Sequence, residues 1–390
     1  MTQVATQRAK TQPRVLMMAA GTGGHVFPAL AVAQALEQRG AVVHWLGTVN
    51  GMENDLLADK GFTYHAIQMQ GLRGNGLARL LKTPANLLKA TLATVKIIQS
   101  NQIDIVVGFG GYVTAPGGLA AKFCKKPLVI HEQNAIAGMS NRYLAKMANK
   151  VLQAFPNTFN QLPTDKLLTV GNPVRQAIVD VPPPELRINP DDNSALKLLV
   201  IGGSLGAQAL NNTIAPTLKA LETMAPASHW QVRHQCGKNN QADTQAVYDK
   251  ADLQRTPYEI MPFVDDMAAA YAWADVIVCR AGALTVTEVA NVGLPAVFVP
   301  LPHAVDDHQT ANAKSLSEQG AAFLLPQKDL TADSLANLLA DLDRQKLLTM
   351  ATKARALANP TATAQAADVI LAQLRSEERR VGKECLRLCR

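Results

Sequence analysis

The chain alternates between short unbroken apolar runs and longer stretches in which Ala and Leu recur at helical spacing. The run RVLMMAA at 14–20 carries no polar residue after Arg14 and ends in the glycine cluster GTGGH at 21–25. Beyond it, FPALAVAQAL restores a helical period. An apolar run of this length closed by glycines reads as a parallel strand buried on both faces. The same order returns where LKLLVI at 196–201 leads into GGSLG at 202–206 and another Ala-rich helical pattern. Two such openings, roughly 180 residues apart, predict two nucleotide-type α/β domains facing each other across a central cleft.

Within the first half the pattern predicts strands at 14–20, 41–46, 63–68, 103–109 and 127–130, with helices at 27–39, 84–100 and 114–124. Another short strand precedes GNPVR at 171–175. Regular alternation of this kind makes a mostly parallel sheet covered on both faces. The Pro/Asp-rich stretch 181–193 reads as a linker. The second half adds strands at 197–201, 230–235, 258–261, 276–279, 296–299 and 322–325. Helices are expected at 207–222, 331–343 and 344–358, and an amphipathic segment at 361–374 could pack back onto the first domain. The resulting division is 14–176 with 361–374 as one domain and 177–360 as the other, with 1–13 disordered.

Length and composition fit this picture. The 390 residues suffice for two domains, and 48% hydrophobic with 18% charged residues is a globular balance. No apolar stretch approaches the roughly 18–20 residues of a membrane span, and the polar amino terminus lacks the apolar core of a secretory signal. The five cysteines and eight histidines show no metal-ligand spacing, so free thiols and no structural metal are expected. From Arg375 the chain changes character: nine of the last sixteen residues are charged. This segment, 375–390, reads as a non-native tail, a genuine basic tail being the alternative. Without its six basic and three acidic residues the net charge falls from +7 to +4. A balance of +4 without interleaved aromatic residues makes no case for nucleic acid.

Three glycine loops stand at strand ends, where ligands bind in open parallel sheets. The first, at 21–25, fails the dinucleotide fingerprint because Val26 stands where the third glycine belongs, and the second strand ends in Leu46 and Gly47 rather than an acidic residue. Its N–H groups, at a helix amino terminus, would still suit an anion or a sugar hydroxyl; a tight packing turn is the competing reading. The second is GFGGYVTAPGG at 108–118 and the third GGSLG at 202–206. In VIVCRAGALTVTE at 276–288, Arg280 ends a strand where a guanidinium could fork onto phosphate oxygens. Glu288, one turn into the next helix, could accept from two ribose hydroxyls; an Arg280–Glu288 ion pair is the plainer alternative. The loop 302–309 lies within reach of the same place. The single DxD string, Asp341 to Asp343, falls inside a predicted peripheral helix and reads as a solvated face.

Taken together, TGGH with FPALAVA, FGGYVTAPGG, HEQNAIAG, GNPVR, GGSLGA, CRAGALTVTE and DDHQTANA resemble the MurG family, in the family's order, from about Arg14 to Leu374. The resemblance implies an α/β GT-B glycosyltransferase with two Rossmann-like domains. The implied reaction is metal-independent, inverting transfer of N-acetylglucosamine from UDP-N-acetylglucosamine to lipid I, giving lipid II for peptidoglycan, with no cofactor. It also implies that Arg280 and Ser204 bind the diphosphate, Glu288 the ribose and the backbone near Val264 the uracil, with the segment Ala283, Leu284, Thr285, Val286 and Thr287 lining the donor. Gln309, Asn134 and the loop Thr22, Gly23 and Gly24 would address the sugar, and Arg175 would close the cleft. His25, Tyr112, Asn134 and Asn211 would meet the acceptor. Two departures are Leu205, where many members carry glutamine, and His308, where some relatives carry a second one.

The acceptor hydroxyl needs a base, and His25 has suitable chemistry near neutral pH. The alternative is a positioning His25, with Glu132 or water taking the proton. An acceptor on a polyprenyl anchor implies a peripheral enzyme on the cytoplasmic face of the bacterial inner membrane, with cell-wall and division proteins as further partners. The basic, leucine-rich stretch 71–98 and the cluster KFCKK at 122–126 would suit an anionic membrane surface. For 84–98, a helix packed on its own sheet competes. Two other readings stay open: a different GT-B enzyme, such as a UDP-sugar epimerase or a transferase with a soluble acceptor, and an inactive scaffold of the cell-wall machinery.

Overall fold

The computed structural model describes residues 12–69, 77–203, 205–302 and 307–374, with backbone alone over 77–82. The chain forms two compact units. The first takes the chain up to Gln133, then Ala137–Pro173, and finally the segment from Thr361 onward; the second takes Asn134–Ile136 and Val174–Pro360. The main crossing thus falls at Pro173, just before the expected boundary at 176, and a three-residue piece of the HEQNAIAG loop belongs to the second unit.

Unit 1 runs β1 (Arg14–Ala19), α1 (Gly23–Gln38), β2 (Val42–Thr48), α2 (Glu53–Leu57), β3 (Thr63–Ile67), α3 (Leu77–Ser100), β4 (Ile105–Gly110), α4 (Thr114–Phe123), β5 (Leu128–Glu132), α5 (Met139–Met147), β6 (Lys150–Gln153) and β7 (Leu167–Thr169). Its seven strands are ordered β3-β2-β1-β4-β5-β6-β7, and every pairing is parallel. The order reverses between β1 and β4, which places a ligand crevice beyond the carboxyl ends of those two strands. There the register slips: Met18 pairs with Gly108 but Ala19 with Gly110, turning the end of β4 into its glycine loop. One core face holds Val15, Met17, Val26, Leu30, Val107 and Leu152, joined by Ala366, Ala367 and Ile370 of a closing helix at 362–374.

Unit 2 runs α6 (Gln176–Val179), α7 (Pro184–Arg187), β8 (Leu196–Ile201), α8 (Gln208–Met224), β9 (Trp230–Gln235), α9 (Gln241–Ala251), β10 (Tyr258–Met261), α10 (Met267–Trp273), β11 (Val276–Cys279), α11 (Ala283–Val292), β12 (Ala296–Phe298), α12 (His308–Ser317), β13 (Ala322–Leu324), α13 (Ala332–Ala340) and α14 (Arg344–Ala356). The sheet order β10-β9-β8-β11-β12-β13 repeats that of unit 1, again all parallel. Its crevice lies beyond β8 and β11, at the GGSLG loop and at Arg280.

Three local expectations are corrected. Helix α1 begins at Gly23, four residues before the expected start, because Pro28 lies inside the helix rather than at its first turn. Pro84 misleads in the same way, since α3 begins at Leu77. Proline favours the first helical turn, so an internal one imitates a helix start. The DxD string lies in the break between two helices: Asp343 caps α14 by accepting from Lys346 N at 2.7 Å, and Asp341 pairs with Lys346 at 3.8 Å.

Candidate active site

In unit 1 the early start of α1 puts His25 in its first turn, where Thr22 O accepts from His25 N at 3.0 Å and Val26 N at 3.1 Å. The Thr22 hydroxyl lies 3.1 Å from His25 Nδ1 and can donate to the neutral ring. Opposite stands the β4 loop. A Cβ on Gly110 would lie 2.4 Å from His25 Cδ2, so the bare backbone there makes room for the imidazole. Tyr112 borders the same loop, its ring 3.7 Å from where a Cβ on Gly21 would stand. Burial pushes the His25 pKa below the usual 6.5, while the Glu132 charge and a backbone bond at Ala20 partly oppose this. A neutral imidazole is therefore available at physiological pH.

Glu132 itself is only 2% exposed. Its Oε2 accepts from Gly138 N at 3.0 Å and Asn141 Nδ2 at 2.8 Å. These bonds hold Oε2 in place, and His25 feels the Glu132 charge. Behind it His131 stacks on Phe109 at 5.0 Å and bonds Gly171 O at 2.9 Å.

The first glycine loop is less open than its sequence suggests. Gly21 N donates to Glu53 Oε2 at 3.2 Å, and Glu53 Oε1 accepts from Thr48 N and Thr48 Oγ1, both at 2.8 Å. Glu53 is fully buried, and Gly51 is required beside it because a Cβ there would lie 2.1 Å from Oε1. An acidic residue after β2 therefore exists, but it fastens the loop instead of gripping a ribose.

In unit 2, Arg280 follows β11 with its guanidinium aimed by backbone carbonyls. Nη1 donates to Val299 O at 3.1 Å and Pro300 O at 3.2 Å, and Nη2 to Gln327 Oε1 at 2.7 Å. Next to it α11 begins at Ala283, and its N-cap Gly282 offers no side-chain acceptor. A helix amino terminus beside a guanidinium is an anion site. Glu288, on the same helix, is 4% exposed and accepts from Tyr271 Oη at 3.0 Å and Arg175 Nη2 at 3.2 Å. Burial raises its pKa above the usual carboxylate value despite both partners. The ion pair considered for Arg280 thus belongs to Arg175. Tyr271 was missed because an isolated Tyr seventeen positions upstream gives no local signal of this contact.

The remaining expected residues differ in exposure and bonding. Leu284 and Thr285 are partly exposed, whereas Ala283 and Val286 are buried and can serve a ligand only through backbone; Thr287 bonds Ala283 O within its helix at 2.9 Å. Val264 is half-buried, and Gln309 Oε1 accepts from Leu301 N at 2.8 Å. Asn134 is held in unit 2 by Asn312, whose Nδ2 lies 3.2 Å from Asn134 Oδ1 and whose Oδ1 accepts from Ala135 N at 2.8 Å. Asn211 is buried, bonding Cys236 O at 2.9 Å and His234 Nε2 at 3.2 Å. Ser204 and stretch 70–76 lie outside the described residues, as do residues 1–11 and 375–390.

Comparison with known proteins settles the family. Residues 15–153 match the glycosyltransferase family 28 N-terminal domain and 197–370 its C-terminal domain. A protein of Psychrobacter cryohalolentis named UDP-N-acetylglucosamine--N-acetylmuramyl-(pentapeptide) pyrophosphoryl-undecaprenol N-acetylglucosamine transferase is 64% identical over 359 residues, covering 92% of this chain and 98% of that protein. The chain belongs to the MurG family. The crystal structure of Acinetobacter baumannii MurG superposes with a TM-score of 0.79 at 47% identity, covering 92% of this chain and 99% of that one. This membership makes the chain a glycosyltransferase, and its two Rossmann-like units are those of the GT-B fold. A UDP-N-acetylglucosamine 2-epimerase structure also matches, with a TM-score of 0.64 at 14% identity, covering 91% of this chain and 94% of that one; this likeness is one of fold alone.

Proposed function

We propose that the protein transfers N-acetylglucosamine from UDP-N-acetylglucosamine to the muramyl 4-hydroxyl of undecaprenyl-pyrophosphoryl-MurNAc-pentapeptide, producing lipid II. The observation that carries this reading is the pairing of Arg280 with the uncapped start of α11, and of both with the braced Glu288 carboxylate. That set offers positive charge to a diphosphate and an acceptor to a ribose. The relatives' named activity supplies the two substrates.

In this reaction the acceptor oxygen attacks the anomeric carbon, the C1–O bond to the diphosphate breaks, and configuration inverts. The acceptor proton passes to the His25 imidazole, with Glu132 stabilising the imidazolium that results. Charge grows on the departing UDP, where Arg280 and the α11 N–H groups meet it. Dipoles fixed in advance at the position of developing charge are an effective source of transition-state stabilisation. Glu288 orients the donor through its ribose, and Thr22 orients His25.

The lipid-linked acceptor calls for contact with a membrane. None of the described helices is long and apolar enough to cross one. Packed helices α3, α4 and α5 of unit 1 instead expose Leu88, Leu92, Phe123, Met139 and Tyr143 beside the exposed Lys89, Lys96, Lys122 and Lys125. Cations near an anionic surface contribute about 1 kcal/mol each, enough together for reversible attachment to the cytoplasmic face of the inner membrane.

The deciding assay is UDP release from UDP-N-acetylglucosamine, with and without a short-chain lipid I analogue, in EDTA. Release that depends on the analogue and survives EDTA is expected. A folded sample that releases no UDP with the analogue present overturns the reading.

A further inference from the structure

Two side chains from outside it, Gln235 and Asn240, hold the loop GGSLG at 202–206. Gln235, the last residue of β9, lies beside the end of β8 and is 3% exposed. Its Oε1 accepts from Gly202 N at 3.1 Å and Gly203 N at 3.2 Å. Its Nε2 donates to Gly203 O at 2.9 Å and Pro262 O at 3.1 Å. Two acceptor bonds and two donor bonds are the full capacity of a primary amide. No other side chain of that length supplies both. The N–H groups of Gly202 and Gly203 are therefore already occupied.

The same amide reaches two segments at once. Gly202 and Gly203 open the loop on the diphosphate side, and Pro262 opens the turn to Val264, where the base is expected. Surrounding contacts stiffen the arrangement. Gly206 N donates to Gly203 O at 2.8 Å, and Asn240 Nδ2 donates to Leu205 O at 3.0 Å and Cys236 O at 2.9 Å. Gly206, at φ +77°, could carry no side chain, since a Cβ would stand 1.9 Å from Cys236 O.

We propose that Gln235 is a positioning residue for the donor, locking the diphosphate loop against the base loop so that both are in place before UDP-N-acetylglucosamine arrives. This rests on the donor assignment above. It acts through the loops and touches no substrate atom. Preorganisation of this kind sets affinity by removing an ordering cost that binding otherwise carries.

The test compares wild type with Gln235→Met, which keeps the volume and loses all four bonds, and Gln235→Glu, which keeps the acceptor oxygens and loses both donors. Expected for each variant is a rise of about tenfold or more in KM for UDP-N-acetylglucosamine and in Kd for UDP. At saturating donor, kcat stays within about threefold and the acceptor KM is unchanged. Unchanged donor KM overturns the proposal, and so does a fall in kcat at unchanged KM, the pattern of a merely lower active fraction. Wild type that binds no UDP overturns the donor assignment itself, a separate outcome. Amide hydrogen exchange on the wild type avoids any folding defect of the variants. Gly202 and Gly203 should be protected before UDP is added and remain so. Protection that appears only with UDP overturns the proposal.

Discussion

The imidazole of His25 rests against the bare Cα of Gly110, at the point where β4 turns out of its sheet. A Cβ there would lie 2.4 Å from His25 Cδ2, and the residue holds φ at +112°, outside the range of ordinary side chains. Gly110→Ala should therefore move the ring and strain the turn. A displacement near 1 Å at a reacting group costs on the order of 100-fold in rate. The expected result is a fall of about that size in kcat, with the Kd for UDP, proposed to bind unit 2, unchanged. A variant with wild-type kcat contradicts the placement of His25.

The pH profile reports the same ring. Burial holds the His25 pKa below 6.5, so the base is neutral and competent above that value and is lost by protonation below it. The acid limb of kcat/KM should have its midpoint under 6.5 and vanish in His25→Ala. A midpoint above 6.5 would assign the limb to another group.

Under the proposed function, Glu288 trades stability for binding. Its folded pKa is raised, so the charged form is favoured less in the folded chain than in the unfolded one. Such a group stabilises below its unfolded pKa, and this contribution is lost as pH rises through the folded value. At neutral pH, Glu288→Gln should match or exceed wild type in Tm, yet weaken UDP by on the order of 30-fold through the lost charged hydrogen bonds. Tyr271→Phe should weaken UDP by about fivefold and 2′,3′-dideoxy-UDP hardly at all, because its bond to Glu288 bears on the ribose hydroxyls. Isothermal titration of both nucleotides measures this, and equal weakening of the two would count against ribose recognition.

Acid should destabilise the fold before carboxylates protonate. His131 is pushed down to about 4 and His234 to about 3, both by burial, with His234 wedged between Tyr248 Oη at 3.0 Å and Asn211 Oδ1 at 3.2 Å. A histidine whose pKa falls on folding contributes fully above about 6.5, and that contribution declines as pH drops toward the folded value. At pH 5 each should have lost roughly 2 kcal/mol. Urea midpoints at pH 7 and pH 5 check this; unchanged midpoints contradict it.

The exposed face of α3 and α4 gives a membrane prediction. Phe123→Ser combined with Lys125→Glu removes one apolar and one cationic contact and adds a repulsive charge. Sedimentation with anionic vesicles should show about tenfold weaker binding, while turnover of a short-chain acceptor in solution is retained. Undiminished vesicle binding would place the attachment elsewhere.

Legibility in the sequence followed the range of the interactions. Strands such as β1, β8 and β11 stood out because burial on both faces demands an unbroken apolar run, and their positions differ by a residue or so from the pattern. Shorter or more polar elements escaped: α5 reads MSNRYLAKM, and β6 is only four residues. Two helix starts moved because a proline inside the helix imitated its start, at Pro28 and Pro84. Arg280 and Glu288 stood out because they lie eight positions apart on one strand-helix turn.

By itself the sequence determined two parallel α/β units, the glycine loops at their strand ends, and the family whose motifs those loops carry. Local spacing encodes all three, since strand burial and turn geometry depend on neighbours along the chain. Only the tertiary structure decided what each polar group faces. Glu53 reaches Gly21 across 32 positions, Gln235 reaches Gly203 across 32, and Arg175 meets Glu288 across 113. A buried donor or acceptor must find a partner wherever the fold brings one, and packing, not spacing, selects which.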